Sequence, residues 1–417
     1  MESMNDDAGS EQKLIVQKFG GTSVKDAERI KAVAARIKTY IDAGYKAVVV
    51  VSAMGKSTDV LVDLAKQISP NPSKREMDML LSTGEQVSIS LLAMALQELG
   101  LRAISHTGFQ LNVLTDSSYS NARIQSISAD KIKQSLAAND VVVAAGFQGI
   151  DEAGNITTLG RGGSDTSAVA LAAVMGCRDC EIYTDVDGVY TADPRIVKQP
   201  LKLKQISYDG MLELSRLGAG VLHSRSVEFA KKYGVRIHVR SSYSADEGTV
   251  VMAKEEMMEK YVISGVTAKK DEAKITVRSV KDRPGVAAEI FELLGAAKIY
   301  VNMIVQSTGS ESQASISFTV LKEDLDRALA VIKKFGEEHG ASSVEATADI
   351  AIVSAVGVGM LSSYGVAARM FRSLSDADIN IQMISTSEIG ISCVIDEKYA
   401  DEAQRIIHKV FLEDSGK

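Results

Sequence analysis

The chain carries 417 residues, 45% of them hydrophobic and 24% charged, with a formal net charge of −7. That length accommodates two or three domains with sizeable apolar cores, and the acidic balance argues against nucleic acid or an anionic membrane as partner. The densest apolar run, Ala47-Val48-Val49-Val50-Val51, has strand length, well short of the roughly 20 residues of a membrane span.

Residues 1–12 are polar and acidic with no apolar segment, which reads as a disordered tail and not a signal peptide, so a cytoplasmic protein is expected. From residue 13 to about 240, strands and helices alternate. Strand-like runs at 14–18, 47–52, 102–105, 141–145, 181–184 and 236–240 are separated by helical patterns at 24–43, 57–69, 76–99, 128–138, 164–175 and 222–233. The alternation predicts an α/β layout with a mainly parallel central sheet, whose active site would lie at the carboxyl ends of the strands. Cys177 and Cys180 form a lone Cys-x-x-Cys with no second pair, and Cys393 is remote in sequence. Cys180 opens an apolar strand, where a thiol behaves as a small hydrophobe.

Two glycine-rich segments fall at such strand ends: Lys18-Phe19-Gly20-Gly21-Thr22-Ser23 and Gly160-Arg161-Gly162-Gly163-Ser164-Asp165-Thr166. Each couples backbone that can approach an anion closely to a cation and hydroxyl donors, and each opens onto a helical pattern. That is chemistry for phosphate and carboxylate. A third loop, Tyr183-Thr184-Asp185-Val186-Asp187-Gly188-Val189-Tyr190-Thr191-Ala192-Asp193-Pro194-Arg195, runs from a strand through an Asp-x-Asp-Gly turn to Asp-Pro-Arg. It lacks the bidentate Glu of a calcium loop. Gly55-Lys56-Ser57 has Val50 where a P-loop needs glycine, and Gly357-Val358-Gly359 has Ser362 where a dinucleotide fingerprint does. His106, His223 and His238 show no ligand spacing and read as structural.

The last third is organised differently. Gly285–Ser307 repeats without a gap as Gly365–Ser387, 11 of 23 positions being identical. The matching positions Phe291/Phe371, Leu294/Leu374, Ile299/Ile379 and Ile304/Ile384 are apolar, so each copy reads as a helix packed on a strand, within two α+β modules. The charged stretch from Asp246 to Lys260 is the expected hinge. A duplicated module serves either as a dimerisation surface or as a ligand sensor formed between copies.

The two glycine segments and the acidic loop, together with Ser82-Thr83-Gly84-Glu85 and Gly146-Phe147-Gln148-Gly149, resemble aspartokinases in co-linear order over residues 13–413. The resemblance implies an amino-acid-kinase fold with a mainly parallel central sheet over 13–245, a linker at 246–262, and two ferredoxin-like ACT modules at 263–345 and 346–417. A strand near 262–266 would pair with the second module. The implied reaction is ATP-dependent phosphorylation of the β-carboxylate of L-aspartate, the first step toward lysine, threonine and methionine; the homoserine dehydrogenase half of bifunctional relatives is expected to be absent. Other amino-acid-kinase-fold kinases and a catalytically silent amino-acid-binding regulator are the alternatives.

A β-carboxylate is already an anionic nucleophile, so the site needs cations and N–H groups more than a general base. Lys18 is expected on the transferring phosphoryl oxygens, with Gly20 and Gly21 as backbone donors, Thr22 and Ser23 as hydroxyls, and Asp165 orienting Lys18 or the substrate. Arg161 is the planar fork for the substrate α-carboxylate and Glu85 the counter-ion for its ammonium, with Ser52 and Ser164 as further substrate contacts. Thr184, Asp185, Tyr190 and Arg195 would hold the nucleotide, and Mg²⁺ would bridge its phosphates through water and nucleotide oxygens, with no protein metal site. Many relatives carry a lysine where this chain has Gly220; Arg195 or Arg225 would replace its charge. For effectors, the resemblance points to Asp282, Gly285, Ala287 and Gln306 in the first module and Ile384 and Thr386 in the second. Lysine, threonine or both are the expected effectors, in a homo-oligomer or paired with a shorter regulatory subunit of the same sequence. Ser307, Ser315 and Ser363-Tyr364-Gly365 depart from many feedback-inhibited relatives.

Overall fold

The computed structural model describes residues 13–257, 262–308, 313–360 and 363–413, so the tail expected at 1–12 lies outside the described residues. The chain forms two compact units, and the second takes in two short excursions of the kinase sequence, Tyr190–Leu201 and Glu213–Ala219.

The first unit is built on eight strands in the order Gln205–Ser207, Thr249–Met252, Arg236–Ser241, Asp179–Thr184, Leu14–Phe19, Lys46–Val51, Val141–Ala145, Ala103–His106. Only the Arg236–Ser241 and Thr249–Met252 pair is antiparallel. The central strands are apolar on both faces because both faces are covered, as a parallel sheet requires. On one face the helix Ala27–Asp42, capped by Asp26 on the Arg29 N–H, packs Ile30, Val33 and Ile37 with Ile89, Leu92 and Leu96 of Thr83–Glu98. The helix Gly163–Val174 is buried from Gly163 to Ala172, which explains its small apolar composition on every side.

Several features differ from the sequence expectation. The helical pattern at 76–99 is two helices, Lys74–Leu81 and Thr83–Glu98, meeting at Ser82. By length and composition alone Lys74–Glu98 could cross a membrane, yet it turns Asp78 and Glu85 into the protein interior. A second sheet of short strands, Ile124–Ser126, Leu114–Thr115, Gln148–Ile150 and Ile156–Thr158, and the helix Tyr208–Arg216 were not expected, being too short for a periodicity window to resolve. The linker expected at 246–262 instead begins with Thr249–Met252, a strand of the main sheet with Val251 and Met252 buried; pairing on both edges outweighs the charge of the flanking residues.

In the second unit each repeat makes a four-stranded antiparallel sheet with two helices on one face. The first has the order Val301–Thr308, Gln313–Leu321, Glu272–Lys281, Ser343–Thr347, with helices Val286–Ala296 and Leu325–Glu338. The second has Gly265–Lys269, Ile350–Val356, Gly390–Asp396, Met383–Thr386, with helices Val366–Ser375 and Ala400–His408. Gly265–Lys269, which precedes the first module in sequence, therefore pairs with the second. Leu294, Leu374, Ile299 and Ile379 are buried at matching positions, and Phe291 and Phe371 pack against the cores. The fourth pair is not core: Ile304 is 52% and Ile384 42% exposed, each beside a buried methionine, Met303 or Met383, on the same edge strand. Met303 and Val305 of the first sheet meet Ile350, Ile352, Met383 and Val394 of the second.

The excursion Tyr190–Leu201 is anchored inside this unit through Thr191, whose polar atoms are all engaged. Its N–H donates to Leu201 C=O (2.9 Å), its C=O accepts from Val266 N–H (2.7 Å), and its hydroxyl lies 2.9 Å from both Leu201 N and His408 Nε2. His408, fully buried, reaches Glu413 Oε1 through Nδ1 at 2.9 Å. Thr191→Val keeps the shape but removes the acceptor of the Leu201 N–H and strands the buried His408 ring nitrogen, and should lower stability by about 1–3 kcal/mol. Denaturant unfolding of the two proteins measures it, and a change below about 0.5 kcal/mol would show that the hydroxyl is dispensable.

Candidate active site

Leu14–Phe19 lies between Lys46–Val51 and Asp179–Thr184, and the chain crosses from one side of it to the other, so the carboxyl ends of these strands open on a switch-point crevice. Ser52 N–H donates to Phe19 C=O (3.2 Å), Gly20 N–H to Tyr183 C=O (3.1 Å) and Gly146 N–H to Val51 C=O (3.1 Å), which locks the four strand ends side by side. Gly20's donor is therefore taken up by the sheet, leaving Gly21's, at the head of the turn Gly21–Val24, for an anion. Gly21 is held to glycine by crowding: a Cβ there would lie 2.8 Å from Ala53 O.

The two glycine loops converge here. Lys18 Nζ is 2.6 Å from Asp165 Oδ1, the two side chains being 11% and 12% exposed. Asp165 lies in the first turn of Gly163–Val174, whose free N–H groups and dipole favour an anion at the same end. Gly162, the left-handed residue before that helix (φ +69°), is pressed against His223, where a Cβ would come within 2.2 Å of the His223 Cβ. Ser164 is buried against Gly146, while Arg161 beside it is exposed and has no ion-pair partner among the described residues.

Glu85 stands in the first turn of Thr83–Glu98. One carboxylate oxygen accepts the Ala53 N–H at 3.1 Å; the other is buried without a partner. Burial pushes the carboxyl pKa up to about 7, against the smaller opposing pull of the Ala53 N–H. A buried carboxylate with one oxygen unsatisfied fits a cationic ligand group. Ser52 is half-buried, Thr22 is exposed, and the Ser23 hydroxyl is fully buried with no partner.

Of the expected nucleotide residues, Thr184 donates its hydroxyl to the Asp185 carboxylate (3.0 Å) in the first unit, while Tyr190 and Arg195 belong to the excursion in the second. Arg195 is solvent-exposed and grips Asp193, whose carboxyl it holds below the usual range. Arg225 is committed elsewhere: its guanidinium donates to Leu159 C=O (2.7 Å) and Ala122 C=O (2.6 Å), so it clamps the main chain and is not free to replace a phosphate-binding lysine. Around Gly220 the space is open, a Cβ there meeting nothing within 4 Å.

The other candidates read as structural. His223 caps Ser224–Tyr233 through the Arg225 N–H, His106 bonds Ser135, and His238 bonds the Glu247 carbonyl. Burial raises the Cys180 thiol well above its ordinary value and Cys177 to about 11; neither is in a disulfide. Among the described residues no three His, Cys, Asp or Glu side chains cluster for a metal. The residue that sequence reasoning passed over is Asp78, fully buried on Lys74–Leu81; a lone acid within Met77-Asp78-Met79-Leu80-Leu81 was the available signal.

In the first repeated module Asp282, Gly285, Ala287 and Gln306 line one open cavity of about 440 Å³ with Arg283, Pro284 and Val286. All seven come from this module. Ile384 and Thr386 lie on the edge strand Met383–Thr386 of the second.

The amino acid kinase family model matches residues 13–241 and the ACT domain model residues 275–334 and 353–411. An aspartate kinase of Stutzerimonas stutzeri is 52% identical over 399 residues, 95% of this chain and 97% of that protein. An aspartokinase of Pseudomonas aeruginosa is 51% identical over 400 residues, with the same two coverages of 95% and 97%. The solved aspartate kinase of Clostridium acetobutylicum has TM-score 0.77 at 25% identity, covering 95% of this chain and 100% of that one. Escherichia coli aspartokinase III in complex with aspartate and ADP has TM-score 0.80 at 24% identity, over 95% of this chain and 99% of that one, a likeness of fold. With half of its residues identical to such enzymes over nearly the whole length, the chain belongs to the aspartate kinase family, an amino acid kinase domain followed by tandem ACT domains.

Proposed function

We propose that the protein transfers the γ-phosphoryl group of ATP to the β-carboxylate of L-aspartate, giving 4-phospho-L-aspartate at the head of lysine, threonine and methionine synthesis. The observation that carries this reading is the Lys18–Asp165 pair at the end of the central strand, in one unit with a free Arg161 and a Glu85 oxygen lacking a partner. Lys18, oriented by Asp165, neutralises charge on the transferring oxygens, and Gly21 N–H adds a donor. Arg161 takes the α-carboxylate in its planar fork and Glu85 the ammonium, with Ser52, Thr22 and Ser164 about the side chain. The β-carboxylate attacks as the anion it already is. Thr184, Asp185, Tyr190 and Arg195 bind the nucleotide. Mg²⁺ bound with the nucleotide would supply charge neutralisation to its phosphates. We further infer a cytoplasmic homo-oligomer, or a pairing with a shorter regulatory subunit of the same sequence, joined through the edge strands Val301–Thr308 and Met383–Thr386, with effector amino acids held where modules pair, by Asp282, Gly285, Ala287 and Gln306 at the cavity of the first and by Ile384 and Thr386 of the second. An ADP-release assay across carboxylate substrates, with hydroxylamine trapping of the acyl phosphate, tests the activity.

Lys18→Ala should lower kcat by about 10²- to 10³-fold with the fold intact, because a cation aimed at the transferring group acts mainly in the transition state. A variant keeping half the wild-type kcat would remove Lys18 from the reaction.

Glu85 gives a pH dependence of defined sign. Its folded pKa of about 7 lies above the ordinary 4.5, so its contribution to stability is fully present below pH 4.5 and is lost as pH rises through 7. Without substrate, Glu85→Gln should therefore match wild type near pH 4.5 and exceed it at pH 8 by an amount on the order of 1–3 kcal/mol. The aspartate KM of wild type should fall about tenfold per pH unit up to 7 as the counter-ion forms, and level off above. Equal stability differences at both pH values would contradict this.

For regulation, lysine, threonine or their mixture should inhibit, with a coupling of about 1–3 kcal/mol, and Thr386→Ile should relieve it. Activity titrated with each amino acid singly and in pairs decides; no inhibition at millimolar concentration would leave the modules a purely structural role.

A further inference from the structure

Asp78 is fully buried on the helix Lys74–Leu81, with no ion-pair partner among the described residues. Its carboxylate instead accepts four hydrogen bonds from neutral donors on two distant segments. Oδ2 takes the N–H groups of Ser120 (2.9 Å) and Thr158 (2.8 Å); Oδ1 takes their hydroxyls at 3.2 and 2.8 Å. An ionised carboxylate suits this arrangement because it only accepts and has room for four donors, whereas an amide would turn its own N–H₂ toward one donor pair.

What Asp78 joins is specific. Thr158 ends the strand Ile156–Thr158 and is followed by Leu159, Gly160 and Arg161. Ser120, in a left-handed turn (φ +69°), backs directly onto that loop: a Cβ on Gly160 would lie 2.9 Å from Ser120 O. On the other side, Lys74–Leu81 runs through Ser82 into the helix whose first turn carries Glu85, and Gln148 Nε2 holds the break by donating to Ser82 C=O (3.1 Å). Arg225 fastens the far side of the same loop at Leu159 and Ala122. Asp78 is thus the shared acceptor between the segment that carries Arg161 and the segment that carries Glu85.

We propose that Asp78 is a positioning residue for the amino-acid substrate, fixing the spacing between Glu85 and Arg161; this rests on the aspartate reading above. In an α-amino acid the ammonium and carboxylate share one carbon, so the two groups that receive them tolerate little drift. A displacement of about 1 Å is enough for an effect on the order of 100-fold. The nucleotide is held by other residues, so its binding should not follow.

Steady-state KM for aspartate and for ATP, measured separately on the full chain together with thermal unfolding, test this. Asp78→Asn is expected to raise aspartate KM about tenfold or more while ATP KM stays within about twofold. Thr158→Val, which deletes a single hydroxyl donor, should raise aspartate KM less, by about three- to tenfold, and Thr158→Ser should restore it. The threonine pair carries the test even where Asp78→Asn folds poorly. A parallel rise in both KM values, or lower unfolding temperature with aspartate KM unchanged, would reduce Asp78 to a structural acceptor. Arg161→Lys separates the two layers: should it raise aspartate KM while the Asp78 and Thr158 variants do not, the substrate reading stands and this inference alone fails. A wild-type protein that makes no acyl phosphate from aspartate would remove both.

Discussion

Lys18 and Asp165, 2.6 Å apart and each nearly nine-tenths buried, set the constraint around which the catalytic unit is built. Withdrawing two charges from water is unfavourable by several kcal/mol per ion, and their attraction offsets this only where the geometry is tightly fixed. The geometry comes from elements far apart in sequence: the end of Leu14–Phe19 and the first turn of Gly163–Val174, which leads into the neighbouring strand Asp179–Thr184. Parallel pairing keeps those two ends level, and main-chain bonds from Gly20, Ser52 and Gly146 across the strand ends hold them there. The crowding at Gly21 and Gly162 follows from the same closeness, since each glycine lets another segment approach within contact of its Cα.

The alternation of strands and helices was legible because each central strand is a short apolar run and each helix an amphipathic one, as in Ala47–Val51 and Ala27–Asp42. The glycine segments could be singled out as candidate anion loops because glycine, cation and hydroxyl occur together in few other contexts, and the structure brings Lys18 of one to Asp165 of the other. What escaped reading lies below the periodicity window or depends on partners remote in sequence. Leu114–Thr115 and Ile156–Thr158 gain their strand character from each other's sheet, not from their own residues. Thr249–Met252 was hidden by the charges beside it. Ile304 and Ile384 matched the apolar pattern of the repeat and yet point outward, because period and hydrophobicity do not say whether a face meets its own core or waits for another surface. At the site, Arg161 and Lys18 could be singled out from their loops, but the commitment of Gly20 to Tyr183 and of Arg225 to two carbonyls could not.

The duplicated modules show what a repeat conserves physically. Gly285 and Gly365 both take left-handed backbone (φ +98° and +81°) ahead of matching helices, and buried leucines and isoleucines recur beneath them. It is the second copy that is split, with the first inserted into it, for Gly265–Lys269 lies beside Ile350–Val356 of the second. The second module cannot complete its sheet without a strand that precedes the first, so the second, unlike the first, is not continuous in sequence. The anchoring of Thr191 by His408, and of Glu213 by the Ser387 hydroxyl (3.1 Å), extends this interdependence to stretches that the sequence assigns to the kinase.

Polar atoms left without partners carry further information because they run against the stability of the empty protein. A buried acceptor without a donor is unfavourable by about 1–3 kcal/mol, and folding alone offers no reason to retain one. Glu85 retains such an oxygen while Asp78, on the preceding helix, has every lone pair answered by a donor. The two acids thus differ in kind: the first is fully answered by the fold, and the second, on the helix that follows it, keeps one oxygen open. On the proposed substrate reading, a ligand ammonium at Glu85 would supply the missing donor and charge together, so that binding would answer an acceptor the empty protein leaves unsatisfied.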